Sequence, residues 1–405
     1  MSAENLGRRL LGEVHEESLD ELLHSLRALH GAATQSQIGI PPLDRLLHAF
    51  QHPTNTVQHH QVSDRSSSPS HHSPAQLRAR KHESKPPIVE LTSTTPGSGK
   101  THLLYLTTIH AILPVTHASI TLHGFSSAVI ILDTDNRFNI PRLADILKAH
   151  VVACQQAQQK PALEDQDLEN LIQGCLKHVH IYRPQSTGSL LATLNAIPTY
   201  LFNAGAHHSS HRRLHSIILD SASAFYWPMR AEEELAKLGR QLHEPSDGDA
   251  PNAVLSTMTT PWTQLSRHLR RLQQMFDCAI LFATVSLSPS PAPSLTPSSR
   301  RDIPSLRPAL PGPMAHLATL RLVLARAAVP PFAPGMAVQD ALGERGKRQE
   351  VVQRGRFWAS VNGWDREAWG KEVVDGLRRM GWGFGFRVMG EGVVLEGAED
   401  PGALL

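Results

Sequence analysis

Between residues 88 and 326, short runs of consecutive apolar residues alternate with longer stretches in which apolar positions recur every three or four residues. The short runs lie at 88–91, 128–133, 179–182, 215–220, 279–284 and 318–324, rich in Val, Ile and Leu. Runs of this length and composition predict strands buried on both faces. Between them, Leu103, Leu104, Leu106 and Ile109 fall at helical spacing. The alternation predicts an α/β domain with a largely parallel central sheet flanked by helices.

Outside that block the pattern changes. Residues 5–30 carry Leu6, Leu10, Leu11, Val14, Leu19, Leu22, Leu23, Leu26 and Leu29 in a mostly helical rhythm, which predicts one or two amphipathic helices. Their apolar face could bury against this chain or against a partner, and both readings stay open. Residues 51–87 are Ser, His, Pro and Gln with almost no apolar residues. Such a stretch cannot offset its ordering entropy by burial, so it is expected to be a disordered insertion. A second irregular stretch, 286–313, is punctuated by proline. A loop of that length in a compact domain is either functional or disordered. The expected organisation is a helical lead-in at 1–50, the insertion at 51–87, and a core at 88–405 that contains the proline-rich loop and a C-terminal strand region. No fixed repeat is visible, which argues against a solenoid.

Composition narrows the function classes. Across 405 residues the formal charge is +2 with 24 histidines uncounted, so any nucleic-acid contact must come from local patches. Cys154, Cys175 and Cys278 lie far apart with no C-x-x-C spacing, against a disulfide framework or a zinc site. His59, His60, His71 and His72 have no cysteine neighbours and no fixed element to hold metal geometry. No segment approaches the roughly 18 uninterrupted apolar residues of a membrane span, and Glu4, Arg8 and Arg9 precede any apolar run. The expectation is a soluble intracellular protein with no membrane partner.

The candidate chemistry begins in "IVELTSTTPGSGKTHLLYL", residues 88–106. A buried strand leads into a small-residue loop, then Gly-Lys-Thr, then a helix. In that order Gly97, Ser98 and Gly99 let consecutive backbone N–H groups face an anion, and the helix beginning near Lys100 adds its positive end. Lys100 would reach the β- and γ-phosphates of ATP, and Thr101 would offer its hydroxyl to Mg²⁺. Thr94 stands where the G-x-x-x-x-G-K-[ST] pattern has its first glycine. That substitution is harmless unless the position needs positive φ.

A phosphate loop needs a second carboxylate for Mg²⁺ at the end of a neighbouring strand. "LHSIILDSASAFYW" supplies Asp220 there, which could otherwise cap the next segment. "AVIILDTDNRF" ends similarly in Asp133, Thr134 and Asp135, where either aspartate could position a water or serve a turn. "CAILFATVSLS" ends in Thr284 and Ser286, polar groups where a γ-phosphate sensor could sit.

Three of these stretches, "PGSGKTHLLYLTTIHAILP", "VIILDTDNRFNIPRL" and above all "IILDSASAFYW", resemble the eukaryotic RecA-like recombinase paralogues. The triplet Phe225, Tyr226 and Trp227 after Asp-Ser-x-Ser-Ala is the most specific, because a generic phosphate loop does not require it. Weaker echoes are "IGIPPLDRLLHAF" and "PALPGPMAHLATLRLVL", so the likeness covers most of residues 38–326 with gaps.

The resemblance implies a RecA-type P-loop ATPase core acting in homologous-recombination repair of DNA double-strand breaks in the nucleus, within a complex of other paralogue subunits. It carries the phosphate-loop roles onto Lys100 and Thr101 and the magnesium aspartate onto Asp220. The catalytic glutamate falls on Asp135, one methylene shorter, and the phosphate sensor on Ser286. The implied single-stranded or branched DNA would meet loops near 228–260 and 286–313, the latter with Arg300, Arg301 and Arg307 but no aromatic residue to stack on a base. A shortened carboxylate implies ATP binding with slow or neighbour-assisted hydrolysis. The alternatives are an active DNA-dependent ATPase with strand exchange, and an unrelated P-loop kinase.

Overall fold

The computed structural model describes residues 38–51, 86–242, 260–286, 303–310, 312–329 and 331–396. The amphipathic segment at 5–30 and nearly all of the 51–87 insertion lie outside the described residues. The described part belongs to one compact unit that begins at Ile38.

In chain order the elements are α1 (Pro41–Gln51), β1 (Ile88–Ser93), α2 (Lys100–Ile112), the short pair β2 (Thr116–His117) and β3 (Ile120–Thr121), and β4 (Ala128–Asp133). There follow α3 (Ile140–Ala157), α4 (Asp165–Leu176), β5 (Val179–Tyr182), α5 (Thr187–Phe202), β6 (Leu214–Asp220), α6 (Tyr226–Leu242), α7 (Pro261–Phe276) and β7 (Ala279–Val285). The chain ends through β8 (Leu320–Arg326), α8 (Val338–Gln353), β9 (Arg356–Val361), α9 (Lys371–Arg379), β10 (Gly383–Met389) and β11 (Gly392–Leu395).

The sheet order is β11-β10-β9-β8-β1-β7-β6-β4-β5. From β8 to β5 all pairings are parallel, and β9, β10 and β11 continue the sheet antiparallel. This is the predicted α/β architecture, with the organisation of a RecA-like core. The apolar runs fill both faces because successive side chains point to opposite sides of a strand. In β4, Val129 and Ile131 join the core under α2 and α3, whereas Ile130 and Leu132 join the core under α5 and α7. In β7, Leu281 and Ala283 take the first side, and Ile280 and Phe282 the second. Each of the larger buried side chains, Val, Ile, Leu or Phe, contributes about 1.5–3 kcal/mol of burial free energy.

Helix boundaries follow local chemistry. Gly99, left-handed at φ 89°, precedes α2, and Leu113 is extended before Pro114, where a helix cannot continue. Asn139 accepts from the Arg142 N–H at 2.9 Å to start α3, and Thr260 accepts from the Thr263 N–H at 3.3 Å to start α7.

Two segments pack more closely than their composition suggests. At the end of the helical lead-in, Ile38, Ile40, Leu43, Leu46 and Leu47 are buried in the same core as β1 and α2. In the proline-rich stretch 286–313, the described residues 303–310 form no helix or strand but reach into the core. Leu306 and Leu310 are buried, and Leu306 exchanges two hydrogen bonds with the Asn362 side chain at 2.9 and 2.7 Å. Leucines between the prolines supply the burial that the composition obscures.

Candidate nucleotide site

Polar groups surface at the carboxyl ends of β1, β4, β6 and β7, because the apolar runs end there in register. Asp133 of β4 lies opposite Asp220 of β6, and Ser93 of β1 lies opposite Val285 of β7. The loop after β1 is built by left-handed glycines, Gly97 at φ 70° and Gly99 at φ 89°. Thr94 is not among the residues with positive φ, so it takes the glycine's place without backbone strain.

The side chains converge. Lys100 Nζ donates to Ser93 Oγ and, at 3.4 Å, to Ser98 Oγ, which is buried. Ser93 Oγ in turn donates to the Thr95 carbonyl at 2.8 Å. Thr101 Oγ1 donates to Asp220 Oδ2 at 2.9 Å, joining the first turn of α2 to the end of β6. Burial pushes the Asp220 carboxyl up, opposed by the Thr101 hydrogen bond, and the neighbouring Asp135 and Asp133 push it further. Burial pushes the Lys100 ammonium down, while Asp220 and Asp135 pull it back up. Lys100, Asp220 and Asp135 thus form one electrostatic group around the cradle.

The structure separates the two aspartates after β4. Asp133 is consumed by its own turn: it accepts from the Arg137 and Phe138 N–H groups at 3.0 and 3.2 Å and from Arg183 Nε at 3.2 Å. Asp135 lies at the surface, and partial desolvation on its inward side, with the nearby Asp133 charge, raises its carboxyl against Arg137 and Lys100. Thr134 ties the two carboxylate strands together, since its N–H donates to the Asp220 carbonyl at 2.8 Å and its hydroxyl to the Ser221 carbonyl at 2.6 Å. The Asp220–Ser221 peptide is cis.

Among the sensor candidates, Thr284 is committed elsewhere. Its hydroxyl donates at 2.8 Å to Glu90, a carboxylate buried inside β1 and paired with Arg321 Nε of β8 at 2.8 Å. Ser286 is buried beside the cradle, its N–H donating to the Ser93 carbonyl at 2.7 Å. Arg307 is exposed, whereas Arg300 and Arg301 lie outside the described residues.

Two contributions were missed at the level of sequence. Ser93 holds Lys100, and its only signal was its place two residues past the apolar run at 88–91. Phe386 of β10 and Phe357 of β9 stack at 5.3 Å with rings 17° from parallel, and a Cβ on Gly99 would lie 2.9 Å from the Phe386 ring. No local pattern links a residue near 99 to one near 386, so this packing had no sequence signal.

An α/β RecA-like core with a Gly-Lys-Thr loop at the carboxyl ends of its parallel strands is the class that these elements define. Over 168 residues the chain is 27% identical to a DNA repair protein XRCC2 homolog of Arabidopsis thaliana, covering 37% of this chain and 44% of that protein. Over 131 residues it is 29% identical to the DNA repair protein XRCC2 of Mus musculus, covering 32% and 38%. It therefore spans less than half the length of the curated relatives it matches. No family model matches it. The likeness bears out the resemblance read from the motifs: this is a divergent chain similar to XRCC2, the X-ray-repair cross-complementing group-two protein. Among the described residues no helix is long and apolar enough to cross a membrane.

Proposed function

We propose that this chain is an ATP-binding RecA-like recombinase paralogue that acts in the nucleus, in homologous-recombination repair of DNA double-strand breaks. Its main role is as an assembly or mediator subunit alongside other RecA-like paralogues, on single-stranded or branched DNA. The observation that carries the reading is the Thr101–Asp220 hydrogen bond at 2.9 Å beside Lys100, over a loop of left-handed glycines.

The residues present fit MgATP. The loop N–H groups from Gly97 to Gly99 and the Lys100 ammonium suit phosphate oxygens, with Ser93 and Ser98 holding the ammonium in place. The Thr101 hydroxyl and the Asp220 carboxylate form a hard oxygen pair for Mg²⁺, which would supply charge neutralisation between the β- and γ-phosphates. Asp135 is the remaining carboxylate able to orient water, and it lacks the methylene that would bring it fully into line. Slow turnover follows. The names of the relatives support the repair role. The exposed Trp227, Leu235 and Leu238 on α6 support assembly, because solvent-facing apolar side chains on one helix favour a protein partner.

Equilibrium binding of a fluorescent ATP analogue tests the nucleotide part. Lys100→Ala is expected to weaken binding about tenfold or more, the worth of a charge-assisted contact. Equal binding by both proteins would overturn it. Asp135→Glu should raise ATP turnover about tenfold, and an unchanged rate would refute the argument from reach.

A further inference from the structure

At the pole opposite the cradle, a hollow of about 160 Å³ opens between the segment 315–321, the turn after β9 and the end of α1. The Thr319 N–H bonds the carbonyl of Ile88 at the start of β1, so this pole lies about 20 Å from the cradle along a strand of six residues. Aromatic rings line it. Phe50 meets Trp369 edge to face at 5.3 Å, and the His316 ring lies 5.9 Å from that of Trp364 at an interplanar angle of 39°. The Arg321 guanidinium sits 5.1 Å from the centre of the Trp364 ring. Its charge is matched by Glu90, and it also donates to the Ala315 carbonyl, so inside the hollow it offers a plane rather than a free cation. The Asp365 carboxylate and the His316 ring nitrogens have no hydrogen-bond partner among the described residues and remain at the rim.

The adjoining surface is basic. Arg270 Nη2 of α7 donates to the His316 carbonyl at 3.3 Å. Arg267 and Arg271 lie one turn before it and one residue after it, both exposed. Among the described residues none of the three arginines is in an ion pair. Their field is felt next door: burial first, then Arg271 and Arg267, hold His268 below its ordinary value.

We infer that this hollow and the arginine row of α7 together form a binding site for single-stranded nucleic acid, one base stacking in the hollow and the adjacent phosphates meeting Arg267, Arg270 and Arg271. A planar base suits rings and a neutralised guanidinium, and its polar edge suits Asp365 and His316. The Asp365 charge keeps phosphates out of the hollow and the arginines receive them outside it. An arginine or lysine side chain from a protein would also fit an aromatic hollow with a carboxylate, but three uncompensated arginines repel a basic peptide. The site does not require the nucleotide cradle to function.

The test is fluorescence anisotropy of a labelled oligo-dT with the full chain, at a series of salt concentrations, with Trp364 quenching as a second readout. Replacing Arg267, Arg270 and Arg271 by Gln should lower the slope of log affinity against log salt by about 2, since each single-strand phosphate contact is worth about 0.7. Trp364→Leu should weaken binding about tenfold with little change in slope, whereas Trp364→Phe, which keeps a ring, should retain it. Lys100→Ala should leave oligonucleotide binding intact while weakening that of the ATP analogue, which separates this site from the proposed nucleotide function. No oligonucleotide binding by the native chain, or native slope and affinity in the variants, overturns the inference. So does quenching of Trp364 by an arginine-rich peptide but not by oligo-dT.

Discussion

The parallel and the antiparallel parts of the sheet use the same strand geometry to different ends. From β8 to β5, strands buried on both faces pair the polar groups of their middles, as Glu90 with Arg321 and Thr284, and bring further polar groups to their carboxyl ends as Ser93, Asp133, Asp220 and Ser286. The strands β9, β10 and β11 supply no group to the cradle's chemistry. They carry Arg356 and Arg387, whose shared partner Glu396 follows β11, and turn Phe357 and Phe386 inward onto Gly99. Arg142 at the start of α3 holds the β10–β11 turn through the carbonyls of Gly390 and Met389, at 2.5 and 2.8 Å. The candidate site residues belong to the parallel strands and the loops that follow them, and the antiparallel extension packs against the Gly99 turn.

The largest way to break this division is Phe386→Ala. Removing a fully buried ring should destabilise the chain by about 3–5 kcal/mol and weaken nucleotide binding as well, because the Gly99 turn loses its backing. Val394→Ala, at an exposed position of β11, should change stability by less than about 0.5 kcal/mol. Urea unfolding of both variants checks this. If Phe386→Ala loses stability but binds the ATP analogue normally, the extension is a stabiliser and not a support for the loop.

Acid should act chiefly on the parallel part. His110 of α2 and His150 of α3 meet edge to face at 5.1 Å, and burial holds them at about 3 and about 4. In the unfolded chain both take a proton near pH 6.5, and the folded chain refuses it. Stability is therefore lost as pH falls from about 6.5 toward 4, by about 2 kcal/mol for each histidine at about pH 5. His150→Gln should flatten the dependence of the urea midpoint on pH, and an unchanged profile would contradict the assignment.

The smallest effect expected is that of Thr94→Gly. With no positive φ at Thr94, the substitution should leave ATP-analogue affinity within about twofold and cost less than about 1 kcal/mol, through added freedom of the unfolded chain. A large gain in affinity would show that the threonine deforms the cradle.

What could be read from the sequence follows the same line. The strands at 128–133 and 179–182 sit where their apolar runs placed them, and the other predicted strands shift by one or two residues, because burial on both faces leaves a continuous apolar signature. The residues gathered at the cradle were legible too, since glycine, lysine and a strand-end aspartate are dictated by local geometry. The role of Asp133 was not, because two aspartates two residues apart look alike until Arg183 arrives from the end of β5. Nor was the joining of Glu90, Thr284 and Arg321 across β1, β7 and β8, a contact between residues as many as 231 positions apart. Pairing of this kind is set by sheet order, which no local pattern encodes.

The central claim is that Thr101 and Asp220 form a magnesium site over the Lys100 cradle. The most direct test is the Mg²⁺ dependence of ATP-analogue affinity in the native chain and in Asp220→Asn. The account predicts that Mg²⁺ tightens binding to the native chain about tenfold or more, and that the variant keeps its magnesium-free affinity but loses the tightening. An equal gain from Mg²⁺ in both proteins would contradict it.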